Sequence, residues 1–266
     1  MKLKQTAKAI AAGLILAATS SFASAAPINV GGVVFDPSSI FDFNANGDLF
    51  ERVITGTGQA AEGFGKITDI NKVFGESNFC PTCELTFTFG GFTLVDPNPQ
   101  ALLFTGGFVN FFVQDRSSAT FTAYDPTKTL GNAGDGNLWL SLAGHTDTRT
   151  GYSAPGTLFG KIDSGLLGSG NERGQGGGLL DVTGGLAAMS LNTNTVIDSA
   201  GGRADLNFTT TFLPTQPDAI AAGAPRLNGG ATFTGNAIPE PATLLLLGAG
   251  LFGIGFGAKR RKQKAA

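Results

Sequence analysis

Two neighbouring stretches decide the fold: Glu84–Val95, ELTFTFGGFTLV, and Leu102–Asp115, LLFTGGFVNFFVQD. In the first, Leu85, Phe87 and Phe89 alternate with Thr86 and Thr88. A period of two, with apolar residues on one face and threonine on the other, is the pattern of a half-buried β-strand. Gly90-Gly91 is expected to break this run, and Gly106-Gly107 to mark a hairpin or bulge in the second. Outward from this pair, Thr120–Thr122, Leu138–Ala143, Leu206–Leu213 and Ala231–Thr234 repeat the alternation. Phe50–Ile54, Gly63–Ile70 and Thr157–Ile162 carry it more weakly. Helical periodicity is confined to Gly185–Leu191 and Asp218–Ala222. About ten short strands separated by turn residues predict an all-β fold, an antiparallel, jelly-roll-like β-sandwich, with a closed barrel as the second choice. No fixed repeat period is present, which disfavours a solenoid.

Two segments read as loops. Ser164–Gly178, SGLLGSGNERGQGGG, is dominated by glycine, which weakens a strand interior. Leu213–Asn228 contains Pro214, Pro217 and Pro225 and is expected to be a crossover between sheets or the start of a stalk.

The ends are different in kind. Lys2, Lys4 and Lys8 precede an apolar run from Ala9 to Ala18, and Ala23-Ser24-Ala25 follows as an A-x-A cleavage pattern. Residues 1–25 therefore read as a secretory signal peptide, and the protein is expected to be exported. Residues 26–238 form the body. Of 22 phenylalanines 19 lie there, too much aromatic mass for a disordered spacer. The body holds 10 basic and 19 acidic residues, a net of −9, which argues against nucleic acid and against anionic lipid head groups as partners.

Residues 239–266 form the tail. Ala242–Ala258 is uncharged and, as a helix, long enough to span a thin bilayer, so a C-terminal transmembrane helix is expected to hold the precursor at the inner membrane. Lys259, Arg260, Arg261 and Lys262 would stay cytoplasmic. Pro239-Glu240-Pro241 stands just before the span as a stiff, extended segment bearing one carboxylate. Pro239-Glu240-Pro241, the apolar run and the basic cluster together resemble the PEP-CTERM sorting tail of Gram-negative bacterial exoproteins. The resemblance implies recognition by an exosortase and delivery to the cell surface or extracellular matrix, commonly in an exopolysaccharide context. Related tails occur on chains described as ice-binding.

Chemistry-bearing motifs in the body are few. Cys80 and Cys83 are the only cysteines, and in an exported chain such a pair is expected to form a disulfide. Free thiols or a metal or redox role are the alternatives, and the βαβ context of a redox CxxC is missing. Asp42, Asn44, Asn46 and Asp48, with Gly47, match the first positions of a calcium loop, but position 12 is Val53. An Asx-rich turn between two strands is the expected structure, with a calcium site as the alternative. Gly176–Asp181 has Leu179 where an RTX calcium repeat requires glycine, and it occurs once. His145 is the only histidine, and no G-x-S-x-G accompanies any serine. The pairs Thr86/Thr88, Thr120/Thr122, Thr209/Thr211 and Thr232/Thr234 are too irregularly spaced for a flat ice-binding array and read as outer strand faces.

The reading is a non-enzymatic surface or matrix protein associated with biofilm or exopolysaccharide and requiring no cofactor. The alternatives are a secreted carbohydrate-active enzyme and a calcium-dependent carbohydrate-binding module. An enzyme is expected to show a cleft with two facing carboxylates, or His145 in a polar constellation. A binding module is expected to show exposed aromatics on one face or an occupied loop at Asp42.

Overall fold

The computed structural model describes residues 26–37, 39–118, 121, 130–221 and 223–238. Its strands are β1 (Ile28–Val30), β2 (Val33–Phe35), β3 (Phe43–Glu51), β4 (Ala60–Ile70), β5 (Val73–Phe74), β6 (Cys83–Asp96) and β7 (Leu102–Asp115). They continue as β8 (Asn137–His145), β9 (Leu158–Ser164), β10 (Arg173–Gly184), β11 (Val196–Ile197), β12 (Arg203–Ala204), β13 (Leu206–Pro214) and β14 (Leu227–Gly235). Short helices occupy Glu76–Phe79, Leu130–Ala133, Ala188–Leu191 and Pro217–Ala221.

The architecture is a closed antiparallel barrel of eight strand positions, not the expected sandwich. Neighbours run β13, β14, β3, β4, β6, β7, then β8 and β9, then β10, and β10 pairs back onto β13 from Gly174↔Phe212 to Leu180↔Leu206. β8 and β9 share one position end to end. β8 pairs β7 at Phe108–Val113, and β9 pairs it at Leu102–Phe104. The chain leaves the wall between them and returns through a bridge between Asp147 and Gly156.

Alternation could not separate sandwich from barrel, because each gives every strand one buried face. What decides it is the β10–β13 seam, and the first half of β10, Arg173 to Gly178, lies in the segment expected to be a loop. Glycine serves there because Gly174 is paired with Phe212, and a Cβ at 174 would strike that ring and the Lys161 carbonyl. The two double glycines are also corrected. β6 and β7 run unbroken through them, and Gly91 (φ 72°) and Gly107 (φ 92°) face each other across the ladder, bending both strands with a backbone that L side chains resist. Residues 215–226, with the helix Pro217–Ala221, connect the adjacent antiparallel strands β13 and β14, so this segment is neither a crossover nor a stalk.

An eight-stranded barrel encloses just enough width for side chains. Phe87, Phe111, Phe208 and Phe233 fill it, with ring centroids 4.8–5.7 Å apart. Glycine on neighbouring strands makes room: Gly65 pairs Phe87, Gly63 pairs Phe89, and Phe212 has Gly174 on one side and Gly229 on the other. One end is plugged by the β1–β2 hairpin. Ile28, Val33 and Phe35 are buried there, and the Trp139 indole donates to the Val30 carbonyl at 2.9 Å. On the outer wall Phe50, Phe64, Phe121 and Ala133 make a second, smaller cluster. Beside it the buried Lys66 ammonium reaches Glu84 at 3.1 Å and the Phe121 carbonyl at 2.8 Å.

Among the described residues no helix is long and apolar enough to cross a membrane. The expected signal helix and C-terminal span lie outside the described residues and are no part of the architecture found. Thr120 and Thr122, expected on one further strand, lie outside the described residues as well.

The Phe–Gly packing predicts a sharp asymmetry among glycines. Gly65→Ala should cost about 3 kcal/mol or more, because the new methyl meets the Asp48 carbonyl and the Phe87 ring. Gly56, where an added methyl would have nothing within 4 Å, should accept alanine within about 0.5 kcal/mol. Denaturant unfolding of the two variants checks both values.

Candidate functional site

The end of the barrel opposite the β1–β2 plug is a mouth. A cavity of about 50 Å³ lies there, lined by Leu102, Phe104, Leu158, Ile162 and Phe212 and by two acidic residues, Glu51 and Glu172. Glu51 is the last residue of β3 and belongs to the inward-facing series of that strand. Glu172 precedes β10 and accepts hydrogen bonds from Gly168 N at 3.2 Å and Ser169 Oγ at 3.1 Å. Glu51 keeps partial accessibility at the cavity, yet protein surrounds its carboxyl. Burial first, and the Glu172 charge second, push it from an ordinary 4.5 up to about 8. Glu51 therefore keeps its proton near neutral pH, and with Glu172 it puts two carboxyl groups in one cavity, the residue types a glycosidase uses. The space is the obstacle: 50 Å³ holds a few waters, against the ~300 Å³ at which ligand pockets begin.

His145 ends β8 and also sits in a polar constellation. Nδ1 contacts Asp181 at 2.9 Å and Nε2 contacts Asp198 at 3.0 Å. Burial alone would lower its pKa, but the hydrogen bonds and charges of Asp198 and Asp181 outweigh that and raise it. The hydrogen bond from His145 in turn holds Asp198 below the usual carboxylate range. With both nitrogens engaged by carboxylates, the His145 ring ties the β11–β12 hairpin to the barrel and has no nitrogen left to serve as a base. The sequence offered one histidine; its partners, 36 and 53 residues away, carry no local signal.

The four calcium candidates do not converge. The stretch expected to be a turn is the strand β3, and Asn44, Asn46 and Asp48 project from its outer face. At ~3.4 Å per residue, 44 and 48 are roughly 14 Å apart, too far to share one ion. Asn46 accepts from Thr232 Oγ1 at 2.7 Å and donates to Asp69 at 2.9 Å. Asp42 instead accepts the backbone N–H of Ala237 at 2.8 Å. Among the described residues no three histidine, cysteine or carboxylate side chains are grouped as a metal would need. Cys80 and Cys83 form a disulfide closing the turn into β6, and Arg116 donates to both of their carbonyls.

Pro239, Glu240, Pro241 and the basic cluster Lys259, Arg260, Arg261 and Lys262 lie outside the described residues. Their point of departure does not. After β14, Ala237 is buried and bonded to Asp42, and Ile238 N donates to the Ser190 carbonyl at 2.8 Å. Comparison with protein families matches residues 237–262 to the PEP-CTERM protein-sorting motif. The tail is a PEP-CTERM sorting tail. The chain is accordingly an exported substrate of an exosortase, a membrane enzyme. No curated protein and no solved structure matches the chain. The PEP-CTERM match begins at Ala237, so its first two residues are still hydrogen-bonded to the folded body, one to Asp42 and one to Ser190.

The mouth makes stability depend on pH. Between about 4.5 and 8 the folded protein holds a proton on Glu51 that the unfolded chain has released, so stability falls as pH rises through that window. Glu51→Gln, which mimics the protonated acid, should remove this decline and exceed the wild type in melting temperature above pH 8. Melting curves from pH 4 to 9 check the crossover.

Proposed function

We propose that the chain is a non-catalytic surface or matrix protein that associates with exopolysaccharide through the outer wall of its barrel. The observation that carries this is the register of β13, β14 and β3. Thr209 lies beside Thr232, which lies beside Asn46; Asn207 lies beside Thr234, which lies beside Asn44. Thr211, Gly230 and Asp48 make the next row. The rows present hydroxyls and amides at the ~4.8 Å strand spacing, and the alternate residues of these strands point inward to the core. Thr232 to Asn46 to Asp69 is already hydrogen-bonded, which fixes side-chain orientations before any ligand arrives.

Such a wall suits weak, repeated contacts with a hydroxyl-rich polymer. Affinity then comes from many displayed copies rather than one deep subsite. Sorting to the cell surface supplies the copies. The filled interior supports a non-catalytic role, since the mouth cavity is too small for a sugar ring and His145 is clamped. Among the described residues the exposed aromatics Phe41 and Phe108 stand on different parts of the barrel, one before β3 and one on β7, and form no stacking platform.

The test is retention of the processed protein on the host's own exopolysaccharide. A Thr209→Val/Thr211→Val variant keeps side-chain shape at two exposed outer positions and removes two hydroxyls. It should elute earlier than wild type from an immobilised-polysaccharide column while melting at the same temperature. Co-elution of the two would contradict the proposal.

A further inference from the structure

The plugged end of the barrel is also the end from which the sorting tail departs, and the two share one rim. Ile238 N reaches Ser190 O, which puts the exit beside the helix Ala188–Leu191 and its Met189. Ala237 N reaches Asp42, placing the exit beside Phe41 and Ile40. Asn71, at the turn carrying Lys72 and Val73, donates to the Phe41 carbonyl at 2.9 Å.

This rim is apolar and turned to solvent. Ile40 is 92% exposed and Met189 88%, and Phe41, Val73, Leu186 and Ile238 are each more than 40% exposed. None of these side chains fills the barrel. A groove lined by Ile40, Phe41, Asn44, Asn71 and Lys72 sets one lysine beside Ile40 and Phe41.

We infer that this rim rests on the lipid surface in which the processing enzyme sits, and so holds the barrel upright over the sorting motif. The inference builds on the sorting reading and adds an interaction surface to it. Three observations favour lipid as the occupant. The chain leaves the fold at this rim with no linker residue between the last barrel contact and Pro239, so whatever the exosortase sits in is brought against the rim. The exposed apolar side chains ring that exit, and apolar insertion is the contact a bilayer surface offers. Lys72 stands where a head-group phosphate would meet it, while the acidic body disfavours a strongly anionic surface. A linker-free motif with a polar rim would force the enzyme to pull the barrel against its own hydration; an apolar rim makes close approach favourable.

The experiment places a reporter tryptophan at each end of the full chain, since the native Trp139 is buried. Met189→Trp marks the rim, and Leu166→Trp marks another strongly exposed position, near the mouth. Each protein is mixed with phosphatidylcholine vesicles carrying brominated acyl chains. The rim reporter should shift to shorter wavelength and lose emission to the bromines, and the mouth reporter should do neither. No quenching at Met189→Trp overturns the proposal, whether or not the chain floats with the vesicles through its tail. Equal quenching at both ends overturns it as well, by showing adsorption without orientation. In the native host, Ile40→Glu/Met189→Glu should slow tail processing in a pulse-chase while the barrel keeps its melting temperature; unchanged processing counts against the rim. The sorting reading fails by a separate result, equal processing of wild type and Glu240→Ala.

Discussion

Width inside the barrel is the constraint on which the rest depends. Eight antiparallel strands leave room for one layer of large side chains, and this sequence fills that room with phenylalanine. Phe87, Phe111, Phe208 and Phe233 touch one another across the axis, so the neighbours that would otherwise point inward are reduced to glycine. Gly63, Gly65, Gly174 and Gly229 are therefore core residues in the packing sense, although they contribute no side chain. The high glycine content that suggested looseness is the complement of the aromatic content, and each glycine paired with a ring also removes the side-chain clash that would hold the strands apart.

Much of this was legible in the sequence, for a definite reason. The Leu85-Phe87-Phe89 and Thr86-Thr88 alternation is a property of single strands, and single strands are where periodicity speaks. The closure was not legible. It rests on the pairing of Gly174–Leu180 with Leu206–Phe212, and the glycine run there carries no periodicity because its inward positions were emptied for Phe212. The same blindness turned the bend at Gly91 into an expected break and the bend at Gly107 into an expected hairpin or bulge. At β3 a run of Asp, Asn and Gly that reads locally as a turn is held extended by β14 and β4 on either side, a tertiary override of local preference. The mouth pair Glu51 and Glu172 lies 121 positions apart in sequence, so no spacing argument reaches it.

The tail was the reverse case. Its motif is local, and its family was readable from a few residues. What the structure adds is the junction: the sorting motif begins inside the last bonded residues of the barrel, at Ala237 and Ile238. Fold and address are thus one continuous unit. The rim proposed above would turn the plugged end toward the processing machinery and the mouth away from it, with the hydrogen-bonding wall of β13, β14 and β3 between them. A rigid body with a filled interior can be displayed in many copies without offering a labile site, which is what an outer-wall function asks of it.

The central claim is that the glycine run from Gly174 to Gly178 is the closing strand of a barrel rather than a loop. Amide hydrogen exchange of the full chain tests it most directly. Closure requires the amides of β10 that face β13 and β9 to exchange as slowly as those of β6 and β7, through opening of the whole barrel. Exchange of that run at the rate of an exposed glycine loop, with β6 and β7 still protected, would contradict closure and return the fold to an open sheet.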